Sequence, residues 1–168
     1  MSLSVHESTV GVFVARLAAL AKILARAEAH AAARKIEPSV LLGWRLAPDM
    51  FALTRQVQLA SDFAKGCVAR LAGRDVPKYE DTESTFAELQ ERIAKTIAFV
   101  QSVPASELES AADRMLDLII ARQPARLSGR DYLLHQAMPN FYFHVTTAYA
   151  ILRACGVELG KGDFMGRN

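Results

Sequence analysis

Apolar side chains recur at alternating spacings of three and four along most of this chain, and that rhythm admits few folds. Val10, Phe13, Leu17, Leu20, Leu24, Ala27 and Ala31 mark one stripe, the core-facing edge of a helix packed along its whole length. Helix one is predicted from about Leu3 to Ala33. A second stripe, Met50, Leu53, Val57, Ala60, Ala64, Cys67 and Leu71, follows Pro48, which suits a first helical position because the N–H it lacks has no partner there. Asp49 beside it complements the positive end of the helix dipole, and Gly73 supplies the stop, giving a second helix on the order of 35 Å long. Phe86, Leu89, Ile93, Ile97 and Val100 form a third stripe, entered by a Thr85–Glu88 capping box with Asp81 and Thr82 as competing caps, and closed by Pro104. Phe141, Val145, Ala148, Leu152 and Cys155 form a fourth, ended by Gly156.

Four such helices bury their stripes best by packing together as a bundle. The 168 residues, 51% hydrophobic and 23% charged, suffice for one core without metal or disulfide, so a single domain over residues 1–168 is expected. The linker through Leu41, Leu42, Gly43, Trp44 and Arg45 is too apolar for a loose loop and is expected to fold back onto the bundle. The connector Arg74 to Asp81, containing Pro77, reaches at most about 28 Å. Residues 105–137 carry the weakest pattern. Leu116, Leu118 and Ile120 alternate with their neighbours and Pro124 separates them from Arg126-Leu127-Ser128, which reads as a hairpin. Ser128-Gly129-Arg130-Asp131 reads instead as the cap of a short helix through Gln136.

Twenty Lys plus Arg against eighteen Asp plus Glu leave a formal charge of +2, scattered rather than striped, so nucleic acid is not an expected partner. Cys67 and Cys155 lie among apolar neighbours and are expected as small buried hydrophobes without a disulfide. The N-terminus lacks a basic n-region and Arg16, Lys22 and Arg26 interrupt the apolar stretch after it, so neither a signal peptide nor a membrane span is expected. A cytoplasmic location follows.

The run Met138-Pro139-Asn140-Phe141-Tyr142-Phe143-His144 crowds three aromatics and a histidine into one turn at the start of the last helix, and that much apolar surface must face something. The aromatics are expected to pack the bundle end or a dimer seam before they line a pocket. His144 lies at the flank of its stripe beside Ala148, Ile151 and Cys155 and is expected to be at least half buried, so a hydrogen-bond partner is required. Two readings stay open: a satisfied core histidine bonded to Asp49 or a backbone carbonyl, or a metal ligand or general base. Gly160-Lys161-Gly162-Asp163 lacks the glycine spacing, the Ser/Thr after lysine and the following helix of a phosphate loop. Phe164, with Lys161 and Asp163, is expected to pin this tail. No Gly-x-Ser-x-Gly elbow occurs.

Arg45-Leu46-Ala47-Pro48-Asp49-Met50, Met138 to His144, Ala148-Tyr149-Ala150-Ile151-Leu152-Arg153 and Gly160-Lys161-Gly162-Asp163-Phe164 together resemble domain-of-unknown-function family nineteen-ninety-three, of the DinB/YfiT-like superfamily. The resemblance implies an all-α, up-down-down-up four-helix bundle, with a short hairpin or short helix between helices three and four, commonly paired as a homodimer. Better-studied members of the superfamily hold a divalent metal with three histidines, one on helix two and a pair four residues apart on helix four. Here only His144 falls at such a position. Asn140 and Ala148 occupy the spacings of four around it, and helix two offers Asp49, Gln56 and Gln58. The broken triad favours a small-molecule-binding or stress-related module without cofactor, its vestigial site formed by Trp44, Asp49, Gln56, Asn140, Phe141, Tyr142 and His144. The alternatives are a hydrolase or thiol transferase holding zinc or nickel on His144 and Asp49, and a structural homodimer.

Overall fold

In the computed structural model, which describes residues 4–167, the chain forms α1 (Val12–Arg34), α2 (Pro38–Leu42), α3 (Leu53–Ala72), α4 (Phe86–Gln101), β1 (Met115–Ile120), β2 (Gln123–Ser128), α5 (Gly129–Tyr132), α6 (Met138–Ala154) and α7 (Lys161–Met165). Five-residue π turns precede α1 at Glu7–Gly11 and α6 at Leu133–Ala137, and a short 3₁₀ turn lies at Ala105–Glu107. The expected start of helix one at Leu3 lies outside the described residues.

The four stripes meet as predicted. Phe13, Leu17, Leu20 and Leu24 of α1, Leu53, Val57 and Ala64 of α3, Leu89 and Ile93 of α4, and Phe141, Ile151 and Leu152 of α6 are sealed from solvent in one cluster. Each large side chain buried this way contributes roughly 1.5–3 kcal/mol. Glu7–Arg34 is long and apolar enough to cross a membrane, a test that a core helix also passes, and here its apolar face is the bundle core.

Side-chain contacts fix the directions. Arg92 early in α4 meets Asp62 of α3, and Arg74 just past α3 meets Glu107 just past α4, so these two helices are parallel. The end of α3 meets the approach to α6, through Arg70 and Tyr132, so that pair is antiparallel. Phe13 packs edge-on against Phe141 at 4.8 Å, start against start, while Gln90 of α4 donates to the Ala21 carbonyl of α1 at 2.8 Å. Helices α1 and α6 therefore run one way, α3 and α4 the other.

Several expectations need correction. The molecule is mostly helical rather than all-α, because β1 and β2 pair antiparallel with Met115 opposite Ser128 and Ile120 opposite Gln123. Both readings of residues 105–137 hold at once, since the hairpin leads directly into α5, whose cap is the Ser128 hydroxyl accepting from the Asp131 N–H at 3.1 Å. Ala121 and Arg122 make the turn at φ 50° and 65°, the mirror-image geometry that follows strand twist. Gly129 is required where β2 passes into α5, because a Cβ there would stand 1.9 Å from the Ala111 carbonyl oxygen.

Helix α3 begins at Leu53, not Pro48. The Met50 N–H closes a turn onto the Ala47 carbonyl and the Leu53 N–H reaches back to the Trp44 carbonyl, so residues 45–52 form an irregular bridge. Pro38 takes the first helical turn, in α2. The connector between α3 and α4 is also longer than the sequence suggested. Thr85 and Glu88 form the capping box, not Asp81 or Thr82, so residues 73–85 lie outside any helix and could reach at most roughly 45 Å, ample for a crossover between parallel helices about 30 Å long.

The tail ends in α7. Arg16 donates to the Phe164 and Met165 carbonyls at 2.7 Å, Asp163 pairs with Arg26, and Phe164 packs on Tyr149. Lys161 opens a short helix here, where the sequence reading had none following the glycine-rich run. Both cysteines are free, Cys67 buried and Cys155 half-buried.

Candidate functional site

Helices α3 and α6 face each other across a seam that holds both the histidine of the aromatic run and an open cleft. Of the sequence-derived candidates, the seam brings Gln56 and His144 together: His144 Nδ1 lies 2.7 Å from Gln56 Oε1. The Gln56 amide nitrogen donates to the Phe51 carbonyl at 3.0 Å, and because a carbonyl only accepts, Oε1 must face the imidazole. Nδ1 is thereby the protonated nitrogen, and Nε2 keeps its lone pair. The ring is 7% exposed, stacked on Phe63 at 5.6 Å and met edge-on by Phe143 at 5.3 Å. Burial, aided by the nearby Arg55 charge, pushes its pKa down to about 4. His144 is therefore neutral at pH 7, with Gln56 as the partner where Asp49 or a carbonyl had been expected.

The other candidates disperse. Phe141 points into the core. Tyr142 faces the opposite side, lining a shallow cleft with Arg16 and Phe164. Trp44 and Asp49 sit exposed between α2 and α3, where Trp44 contributes its carbonyl to the Leu53 N–H. Asn140 donates to the Gln136 carbonyl at 2.7 Å and lines the cleft described next.

That cleft, of about 480 Å³, opens between the hairpin and the α3–α6 seam. Phe63, Leu118 and Ile120 give it apolar walls, while Arg70, Tyr132, Gln136 and Asn140 supply polar groups. Phe63 is shared: its ring stacks on His144 and also lines the cleft. Arg70 Nη1 donates to the Tyr132 hydroxyl at 3.1 Å. Burial pushes the Tyr132 phenol up to about 12, so it keeps its proton and can donate onward. Gly66 makes room for this arrangement, because a Cβ there would lie 2.5 Å from Arg70 Nη1.

Sequence reasoning did not single out Phe63, Gly66, Arg70 or Tyr132. One signal was present: a glycine inside a well-patterned helix costs about 1 kcal/mol relative to alanine and marks a close approach.

Among the described residues no three His, Cys, Asp or Glu side chains converge on a point that could hold a metal ion. Around His144 the donors are an amide oxygen already engaged and a carbonyl already engaged. This donor set does not fit the three-ligand site of the better-studied superfamily members.

Residues 5–165 match the family model described as Domain of unknown function (DUF1993). A crystal structure of a DinB family member protein from Shewanella denitrificans is similar, with 42% sequence identity and a TM-score of 0.91 over 96% of this chain and 91% of that one. No curated protein matches the chain.

Proposed function

Because the chain belongs to the DUF1993 family, which is defined without an assigned activity, we propose from its own geometry that it is a metal-independent small-molecule-binding protein whose site is the cleft beneath the hairpin. The observation that carries this reading is the cleft's make-up: apolar walls from Phe63, Leu118 and Ile120 around the convergent polar groups of Arg70, Tyr132, Gln136 and Asn140. Its volume falls within the usual span of ligand pockets, roughly 300–1,000 Å³. His144 is read as the buttress of this site, a neutral imidazole locked by Gln56 that holds Phe63 in place. The test is a thermal-shift screen of small organic compounds on the natural protein and on Asn140→Trp, whose indole fills the cleft. Compounds that raise the melting temperature of the first and not the second support the reading. Hits that stabilise both equally place the site elsewhere.

A metal-dependent hydrolase or thiol transferase is the second reading, and its support is the uncommitted lone pair at His144 Nε2. Near-stoichiometric zinc or nickel in untagged protein, lost in His144→Ala, would favour it over the first. The homodimer belongs to the proposal as well. Trp44, Leu46, Phe51 and Phe143 are each 45–56% exposed, and pairing across them would cover the His144 end of the seam. Sedimentation of Phe143→Glu tests this: the variant should run as a monomer where the natural protein runs as a dimer. A cytoplasmic setting accords with the two free thiols.

A further inference from the structure

The chemistry of the cleft narrows what it takes. Arg70 carries a full positive charge half-buried at the wall, and among the described residues its one hydrogen bond goes to the neutral Tyr132 hydroxyl. No carboxylate of the described residues lies within ion-pairing distance of it. Asp117 also lines the cleft, but its side chain is 86% exposed and turns to Arg126 at 3.6 Å. A guanidinium left with most of its five donors unused, in a partly desolvated cleft, calls for an anion. The protonated Tyr132 hydroxyl, fixed by Arg70, adds a donor beside it.

Charge count separates carboxylate from phosphate. Arg70 is the sole cation among the lining residues, and Asp117 at the rim repels a second negative charge. A monoanion is matched here and a dianion is not. Phe63, Leu118 and Ile120 give the remainder of the ligand an apolar bed.

We infer that the cleft binds an organic monocarboxylate with an apolar body, its carboxylate on Arg70 and the Tyr132 hydroxyl and its body against Phe63, Leu118 and Ile120. This deepens the proposed function and rests on the cleft being the binding site. The experiment is calorimetric titration of the full chain with 4-phenylbutyrate, its neutral amide, and inorganic phosphate. The carboxylate is expected to bind at least tenfold tighter than the amide, and phosphate more weakly than either. Arg70→Gln should abolish the preference for carboxylate over amide, and Tyr132→Phe should weaken the carboxylate severalfold. Equal affinity for carboxylate and amide in the natural protein overturns the inference, whether or not the variants fold, and leaves the cleft as the site. Tighter binding of phosphate also overturns it. If neither carboxylate nor amide binds, and the screen against Asn140→Trp yields no cleft-dependent hit, both the inference and the reading beneath it fall.

Discussion

Arg92 and Arg70 lie on neighbouring helices, each against a tyrosine ring, at 5.3 Å from Tyr79 and 6.0 Å from Tyr132, yet they live under opposite conditions. Arg92, with its side chain 1% exposed, is gripped by Asp62 at 2.8 Å, Asp81 at 3.0 Å and Glu83 at 2.8 Å, and it donates to the Glu80 carbonyl as well. Three of these four partners belong to the connector between α3 and α4, so the cluster straps that crossover against the bundle. Lys65 completes it from α3, paired with Asp62 and lying over Tyr79. Arg70 has a tyrosine, a glycine-made hollow and no acid. A buried charge met by three carboxylates, even with its Nε left unpaired, is architecture, and a sheltered charge kept short of a counter-ion is an invitation to a ligand.

The largest expected effect tests this contrast directly. Arg92→Met strips the counter-charge from three carboxylates and should cost about 3–5 kcal/mol, whereas Arg70→Met should change stability by no more than about 1 kcal/mol. Urea unfolding of both variants decides it, and equal losses would erase the distinction between the two regions.

Next in size is a pH effect on the seam. The folded-state pKa of His144 is lowered to about 4 against roughly 6.5 when unfolded, so the unfolded chain binds the extra proton. Its stabilising contribution is complete above about pH 6.5 and is lost as the pH falls toward 4, about 3 kcal/mol in all, of which about 2 kcal/mol falls between pH 7 and pH 5. The difference in urea midpoint between pH 7 and pH 5 should therefore shrink in His144→Gln. An unchanged difference would mean that the imidazole is better hydrated than its burial implies.

Smaller and opposite in sign is Gly66→Ala. Removing glycine from a helix interior should stabilise by about 0.5–1 kcal/mol, since the group in the way is the mobile end of Arg70. The same methyl evicts the guanidinium from its hollow, so carboxylate binding should weaken at least tenfold while the melting temperature rises. A fall in melting temperature would show the hollow to be less adaptable than a flexible side chain allows. Least of all, Glu107→Gln should leave the urea midpoint unmoved, because the Arg74–Glu107 pair is solvent-facing on both sides.

The stripes made the four long helices legible, and the Thr85–Glu88 box, Gly73 and Gly156 marked ends where the structure has them. Pro48 misled because proline at a helix start is permitted rather than required, and the backbone of residues 45–52 found its hydrogen bonds in turns. The hairpin was ambiguous because its turn uses Ala121 and Arg122 where the usual marker is Asn-Gly. At the seam, a helical wheel foretold that His144 is buried. It could not foretell Gln56 as its partner, because which turn of α3 faces which turn of α6 depends on where α3 begins. Arg70 and Tyr132 stand 62 residues apart, and no local pattern links them.

The five-residue π turn at Leu133–Ala137 places Tyr132, Gln136, Asn140 and His144, spaced by four, along one line of the seam. A π turn holds one residue more than an α turn. Dropping any one residue from Leu133–Ala137 would let the helix relax to the α form and rotate everything before it by about 100° relative to His144. Tyr132 and the hairpin would then swing away from Arg70. In evolutionary bookkeeping this stretch can change its letters but not its length.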